Sequence, residues 1–158
     1  MPAIPIYRTA VLPEWIDYNG HLRDAYYALI LSYASDALME HLGMDAAYRA
    51  ASGNTLYTVE LHIHYLREIH HSDSVIVGVS LLGADHKRLH AAFDIGCEGK
   101  AALAASAELM LLHVHQGTTV ATTAFEPQIA VAIAALAPAA DAAPWPGPGS
   151  RRMQLRAR

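Results

Sequence analysis

The sequence predicts an α+β domain in which an antiparallel sheet wraps one long helix. Three observations predict it. Residues 24–42 alone carry a sustained three- and four-residue apolar spacing. Four later stretches read as strands separated by turn residues. A chain of 158 residues suffices for one core but not for two stacked modules.

Residues 4–11 read as a short strand that Pro13 ends, because proline cannot supply a ladder donor. A turn follows at residues 17–20. The helix over 24–42 is apolar around most of its circumference, which predicts burial on several sides, and Gly43 stands where a helix stops. Strands are predicted over 56–68, 74–82, 88–97 and 101–115. In the first of these, Tyr57, Val59, Leu61, Ile63 and Tyr65 alternate with Thr58, Glu60, His62, His64 and Leu66, a period of two with one largely polar face. Gly78, Gly83, Gly96 and Gly99 punctuate hairpins or mark bulges. The alanine-rich start of the last strand, over 101–107, is equally compatible with helix. A short helix is predicted over 126–137, with Pro127 at its first position. Residues 138–158 have no apolar period and read as a mobile or loosely docked tail. The layout is thus a domain over 1–125, then a C-terminal helix and tail over 126–158.

Composition narrows the function classes. Hydrophobic residues make up 53% and charged residues 16%, an apolar excess that subunit interfaces would absorb. No apolar run reaches the ~18 residues of a membrane span, and the N-terminus lacks the basic stretch and apolar core of a signal peptide, so the chain is read as cytoplasmic. The single cysteine, Cys97, excludes an internal disulfide or a thiol cluster. A formal charge of -4 gives no overall attraction for nucleic acid. No glycine-rich phosphate loop is present.

The segment from Trp15 through Asp17, Tyr18, Asn19, Gly20, His21, Arg23 and Asp24 sets a carboxylate, an amide and an imidazole just before the start of the long helix. Unbonded N–H groups at a helix start can hold a developing oxyanion, and a nearby carboxylate can attack a carbonyl or deprotonate water. Gly20 permits close backbone approach. An ordinary Asp-x-Asn-Gly turn would look the same. His21 either orients Asp17 or the substrate, or caps and packs. Asn19 either positions water or supports the turn.

All eight tyrosines lie within the first 65 residues. Tyr18, Tyr26, Tyr27, Tyr57 and Tyr65, with Trp15, are expected to line one cavity, as core or as an aromatic cage for a cation. Glu60 either completes the pocket, by assisting Asp17 or by facing such a cation, or forms a surface ion pair. His62 and His64 have metal-ligand spacing, with a third ligand imaginable at His21 or His115, but strand alternation alone produces the pattern.

The stretch Asp17-Tyr-Asn-Gly-His-Leu-Arg-Asp-Ala-Tyr-Tyr27, followed by a long helix and a strand reading Tyr-Thr-Val-Glu-Leu-His-Ile-His-Tyr-Leu, resembles the 4-hydroxybenzoyl-CoA thioesterase branch of the hotdog superfamily over residues 6–115. Within that branch it is similar to the betainyl-CoA thioesterases of carnitine breakdown at Ser35-Asp-Ala-Leu-Met, Lys87-Arg-Leu-His and Glu108-Leu-Met-Leu-Leu-His. Arg23 stands where many members of the branch have asparagine. The resemblance implies a hotdog fold, acyl-CoA hydrolysis without metal or cofactor, and a homodimer or homotetramer with sites at subunit interfaces. It implies that Asp17 is catalytic, as nucleophile or as base toward water, and that an N–H near Asp24 or Ala25 polarises the thioester carbonyl. A CoA tail then needs cations, for which Arg67, Lys87 and Arg88 are the candidates, although a solvated hairpin cluster reads alike. Two other readings remain open. A hotdog enoyl-CoA hydratase shares an aspartate, asparagine and histidine, but its histidine comes one position later. A non-catalytic acyl-CoA binder would use the same pocket without turnover.

Overall fold

The structure is a computed structural model that describes residues 3–136. Its elements are β1 (Ile4–Ala10), a 3-10 turn at Pro13–Trp15, α1 (Asp24–His41), α2 (Ala46–Ser52), β2 (Asn54–Tyr65), β3 (Ser74–Ala84), β4 (Arg88–Cys97), β5 (Ala105–Gln116), β6 (Val120–Thr122) and α3 (Pro127–Leu136). The strands form one antiparallel sheet in the order β1-β3-β4-β5-β2, and β6 pairs with the end of β5.

The core lies between α1 and the inner face of the sheet. Val75, Val77 and Val79 of β3, Leu89, Ala91, Phe93 and Ile95 of β4, and Ala105, Ala107, Leu109 and Leu111 of β5 alternate onto that face. Against them α1 sets Tyr27, Ile30, Leu31, Ala34, Leu38 and Met39, one stripe of three- and four-residue spacing. Burial is thus one-sided within the chain, not on several sides as its composition suggests: Ser32, Tyr33, Asp36 and Glu40 face outward, because the sheet covers a single flank. The helix ends where Gly43 adopts a positive φ of 84°. Its N–H bonds the Glu40 carbonyl (3.0 Å) while the Met44 N–H reaches back to Met39 (2.8 Å), so the last carbonyls are satisfied.

Two elements go beyond the sequence reading. In α2 the Asp45 carboxylate caps the Tyr48 N–H at 2.8 Å and Gly53 closes the far end at φ 68°. β6 occupies the flank of β5 that β4 vacates beyond Arg88. β5 begins at Ala105, so the alanine-rich lead-in over 101–104 lies outside the strand. α3 is seated on the core through Ile129 and Ile133. The expected tail over 138–158 lies outside the described residues. Among the described residues no helix is long and apolar enough to cross a membrane.

Candidate active site

The loop before α1 is built around Asp17. Its N–H bonds the His21 carbonyl (2.9 Å), and its carbonyl accepts from the Gly20 N–H (3.0 Å). Gly20 turns the chain with φ 83°, a region that other residues enter at a cost. The turn folds the backbone over the carboxylate, so that Asp17 Oδ1 accepts from the N–H groups of Asn19 (2.8 Å) and His21 (3.3 Å). Desolvation pushes the Asp17 carboxyl upward. The two N–H bonds, the Asn19 side chain and the His21 ring outweigh it and hold the group below its ordinary range, so it is ionised at neutral pH. Asn19 and His21 thus both bear on the ionisation of Asp17.

Asp17 opens onto a cleft of about 530 Å³, whose walls include Tyr18, His21, Arg23, Asp24, Tyr27, Tyr65, Arg67 and Glu68. Tyr27 and Tyr65 meet edge to face with centroids 5.0 Å apart. The Tyr65 hydroxyl donates to the Asp24 carbonyl (3.3 Å) and the Tyr27 hydroxyl to the Arg67 carbonyl (3.5 Å). Desolvation foremost pushes the Tyr27 hydroxyl up to about 12, so it stays a neutral donor. At the start of α1 the Ala25 N–H is taken by the Asp24 carboxylate (2.8 Å) and the Tyr26 N–H by the Arg23 carbonyl (3.0 Å).

The remaining expected residues lie elsewhere in the chain. Trp15 and Tyr26 stack on one another with centroids 5.4 Å apart, and Trp15 is buried in the core, behind the cleft and not in its wall. Tyr57 departs from the expected shared face because the register of β2 against β5 shifts between Thr58 and Glu60. The extra residue, Val59, reverses the alternation, so Tyr57, opposite Leu112, sits on the outer face of the sheet while Tyr65 does not. Glu60 is on that outer face too, opposite Met110, with its carboxylate 3.1 Å from His62 Nε2. Lys87 and Arg88 lie at the β3–β4 turn, where Arg88 is paired with Asp85 (2.6 Å). From Ala105, opposite Tyr65, to Leu112, opposite Arg88, is seven residues of β5, or about 23 Å. Neither His62 nor His64 joins His21 or His115: His62 faces Glu60, and His115 Nδ1 lies 2.8 Å from Asn54 Oδ1.

Glu68 is a cleft residue that the sequence reading left out. It reaches His21 because the Leu22 N–H donates to the Ile69 carbonyl (2.7 Å), a bridge between segments 47 positions apart that no local spacing announces.

A family model described as the thioesterase-like superfamily matches residues 11–147. The chain is 46% identical over 140 residues to the betainyl-CoA thioesterase of Pseudomonas aeruginosa, covering 89% of this chain and 87% of that protein. It is also 46% identical over 100 residues to the L-carnitine dehydrogenase/betainyl-CoA thioesterase of Agrobacterium fabrum, 63% of this chain but 20% of that longer protein. Among solved structures, a Pseudomonas putida KT2440 protein described as a thioesterase superposes with a TM-score of 0.83 at 39% identity, covering 99% of both chains. A Staphylococcus aureus protein solved in complex with CoA superposes at 0.85 with 27% identity, over 99% of this chain and 98% of that one. With one antiparallel sheet curled over one long helix and a match through most of its length, the chain belongs to the thioesterase-like superfamily of hotdog-fold thioester hydrolases.

Proposed function

We propose that this thioester hydrolase cleaves betainyl-CoA to glycine betaine and free CoA, with Asp17 as its catalytic carboxylate. The observation that carries the reading is the cleft, where an ionised Asp17, the first residues of α1, two tyrosine rings and the carboxylates of Asp24 and Glu68 meet. With the Ala25 and Tyr26 N–H groups engaged, the Asp24 N–H is the donor for the thioester oxygen, at the positive end of the helix. Asp17 then either attacks the carbonyl carbon, giving an anhydride that water opens, or removes a proton from the attacking water. Both routes begin from the same ionised group and release CoA as the thiol. A quaternary ammonium gains roughly 0.5 to 2 kcal/mol over aromatic faces, about twofold to thirtyfold in binding. The cleft carboxylates Asp24 and Glu68 take the role that Glu60 was expected to fill.

The working unit in this reading is a dimer joined through β2. That strand is an edge of the sheet, and Val59 and Tyr65 on it are more than half exposed. Tyr57, Leu112 and Arg88 form one cross-strand row at the far end from the cleft. Antiparallel pairing of two β2 edges about a two-fold axis brings the partner's row beside Tyr65 and Arg67, where a CoA phosphate needs cations. Acyl-CoA as substrate also fits a cytoplasmic enzyme.

The test compares betainyl-CoA with its neutral carbon isostere, 3,3-dimethylbutanoyl-CoA, by release of free thiol. Each rate is divided by the non-enzymatic rate, because the fixed charge activates the carbonyl by itself. The expected outcome is a corrected preference for the cationic thioester of a few-fold to about thirtyfold. Equal corrected rates would leave a generic acyl-CoA thioesterase. Binding without thiol release would favour a non-catalytic acyl-CoA binder, and addition of water across an enoyl-CoA would favour a hydratase.

A further inference from the structure

We propose that His21, Glu68 and His70 form a binding site for a divalent transition-metal ion of the zinc type. One nitrogen from each histidine and one carboxylate oxygen all lie within 4.8 Å of one another. His21 Nε2 is 3.1 Å from Glu68 Oε2, and the two imidazoles meet edge to face with centroids 5.0 Å apart.

The backbone brings the cluster together. The Leu22 N–H donates to the Ile69 carbonyl at 2.7 Å, and both of these residues are buried. Their anchoring fixes the positions next to them in sequence. His21 precedes Leu22, and Glu68 and His70 flank Ile69, so all three ligands emerge around one bridge. His70 is further set by Asp73, whose Oδ2 accepts the His70 N–H (2.8 Å) and lies 3.8 Å from its Nδ1, while its other oxygen is held by Lys100 (2.6 Å).

Two imidazoles and one carboxylate suit Zn²⁺, Co²⁺ or Ni²⁺ rather than Mg²⁺ or Ca²⁺, which favour all-oxygen shells. Three protein ligands leave room for water in the remaining position. Binding draws on the neutral form of each imidazole, whose ring nitrogen carries the lone pair that the ion takes. The site shares His21 and Glu68 with the cleft of Asp17, so a bound ion and a cationic acyl group compete for the Glu68 carboxylate, and metal binding is measured without substrate.

The test is calorimetric titration of the untagged, chelator-treated full chain with Zn²⁺ near neutral pH. The expected result is one ion per chain, with affinity weakened roughly tenfold or more in both His70→Ala and Glu68→Gln, at least the usual cost of losing an outer-shell partner. A His62→Ala/His64→Ala variant, which removes two histidines outside the cluster, should keep the parent affinity. The visible absorption of bound Co²⁺ should follow the same pattern. Metal-free melting temperatures of the variants, matched to the parent, show that the fold is retained. Absence of saturable binding, parent-like affinity in His70→Ala, or loss of binding in the His62→Ala/His64→Ala variant would overturn the proposal.

Discussion

Asp17 is the residue on which the proposed chemistry turns, and its environment makes the pH dependence specific. Desolvation alone would raise its carboxyl, but the N–H groups of Asn19 and His21 hold it below the ordinary carboxylate range. A group lowered in this way is ionised throughout neutral pH, so its contribution to hydrolysis should stay level there and fall only as acid titrates it. Replacing Asp17 by Asn preserves an acceptor for the two N–H groups and removes the base or nucleophile. Thioesterase activity should drop ~100-fold or more with the melting temperature little changed, and an Asp17→Asn chain that kept the parent rate would remove Asp17 from the mechanism.

Among elements, α2, β2, β5 and the start of α3 are tied by one polar network. The Tyr48 hydroxyl donates to Glu126 Oε2 (2.5 Å) and lies 3.2 Å from His113 Nε2, while Asn54 Nδ2 donates to Glu126 Oε1 (2.6 Å). His113 is fully buried, and its Nδ1 meets the Thr123 carbonyl at 3.0 Å. Tyr48→Phe leaves two partners short of a hydrogen bond and should cost about 1 to 3 kcal/mol in urea unfolding. Burial pushes the Glu126 carboxyl up, but Tyr48, Asn54 and His113 bring it below its ordinary value. With the folded value depressed, this part of the stability is present above the ordinary carboxylate range and is lost as pH falls through it. Tyr48 has the opposite sign: desolvation, then Glu126, pushes its hydroxyl up to about 12, so its share is complete below the ordinary tyrosine value and disappears as pH climbs toward 12. The Tyr48→Phe variant should therefore show a flatter stability profile at both extremes, measured as unfolding midpoint against pH.

For the whole molecule, the separation of the Arg88 end of the sheet from the cleft makes the assembly testable. If the site is shared across a two-fold axis, an Asp17→Asn chain and a Lys87→Ala/Arg88→Ala chain fail in different halves of it. Mixed and refolded together at low acyl-CoA, they should give more activity than the sum of the two alone, because each hybrid holds one intact site. Light scattering should report a dimer or a dimer of dimers. Additive activity, or a monomer across the micromolar range, would place the whole site within one chain.

What the sequence by itself determined are the features encoded within a few residues of one another. The extent of α1 followed from its apolar spacing and Gly43, the strands after it from the turn residues that separate them, and the turn at Gly20 from its Asp-x-Asn-Gly text. The family was legible in the same segment, because a site built on one loop and one helix start is contiguous in the chain. The helix α2 had its local signals in Asp45 and Gly53 but is only seven residues long, and β6 has three, too few for any period to register. Tertiary structure decided what depends on pairing between distant segments. The shift at Val59 turned Tyr57 to the outer face, the strand order put Arg88 far from Asp17, and the Leu22–Ile69 bridge delivered Glu68 and His70 to His21. Register and strand order are properties of two segments at once, set by which buried faces fit together, so neither segment carries them alone.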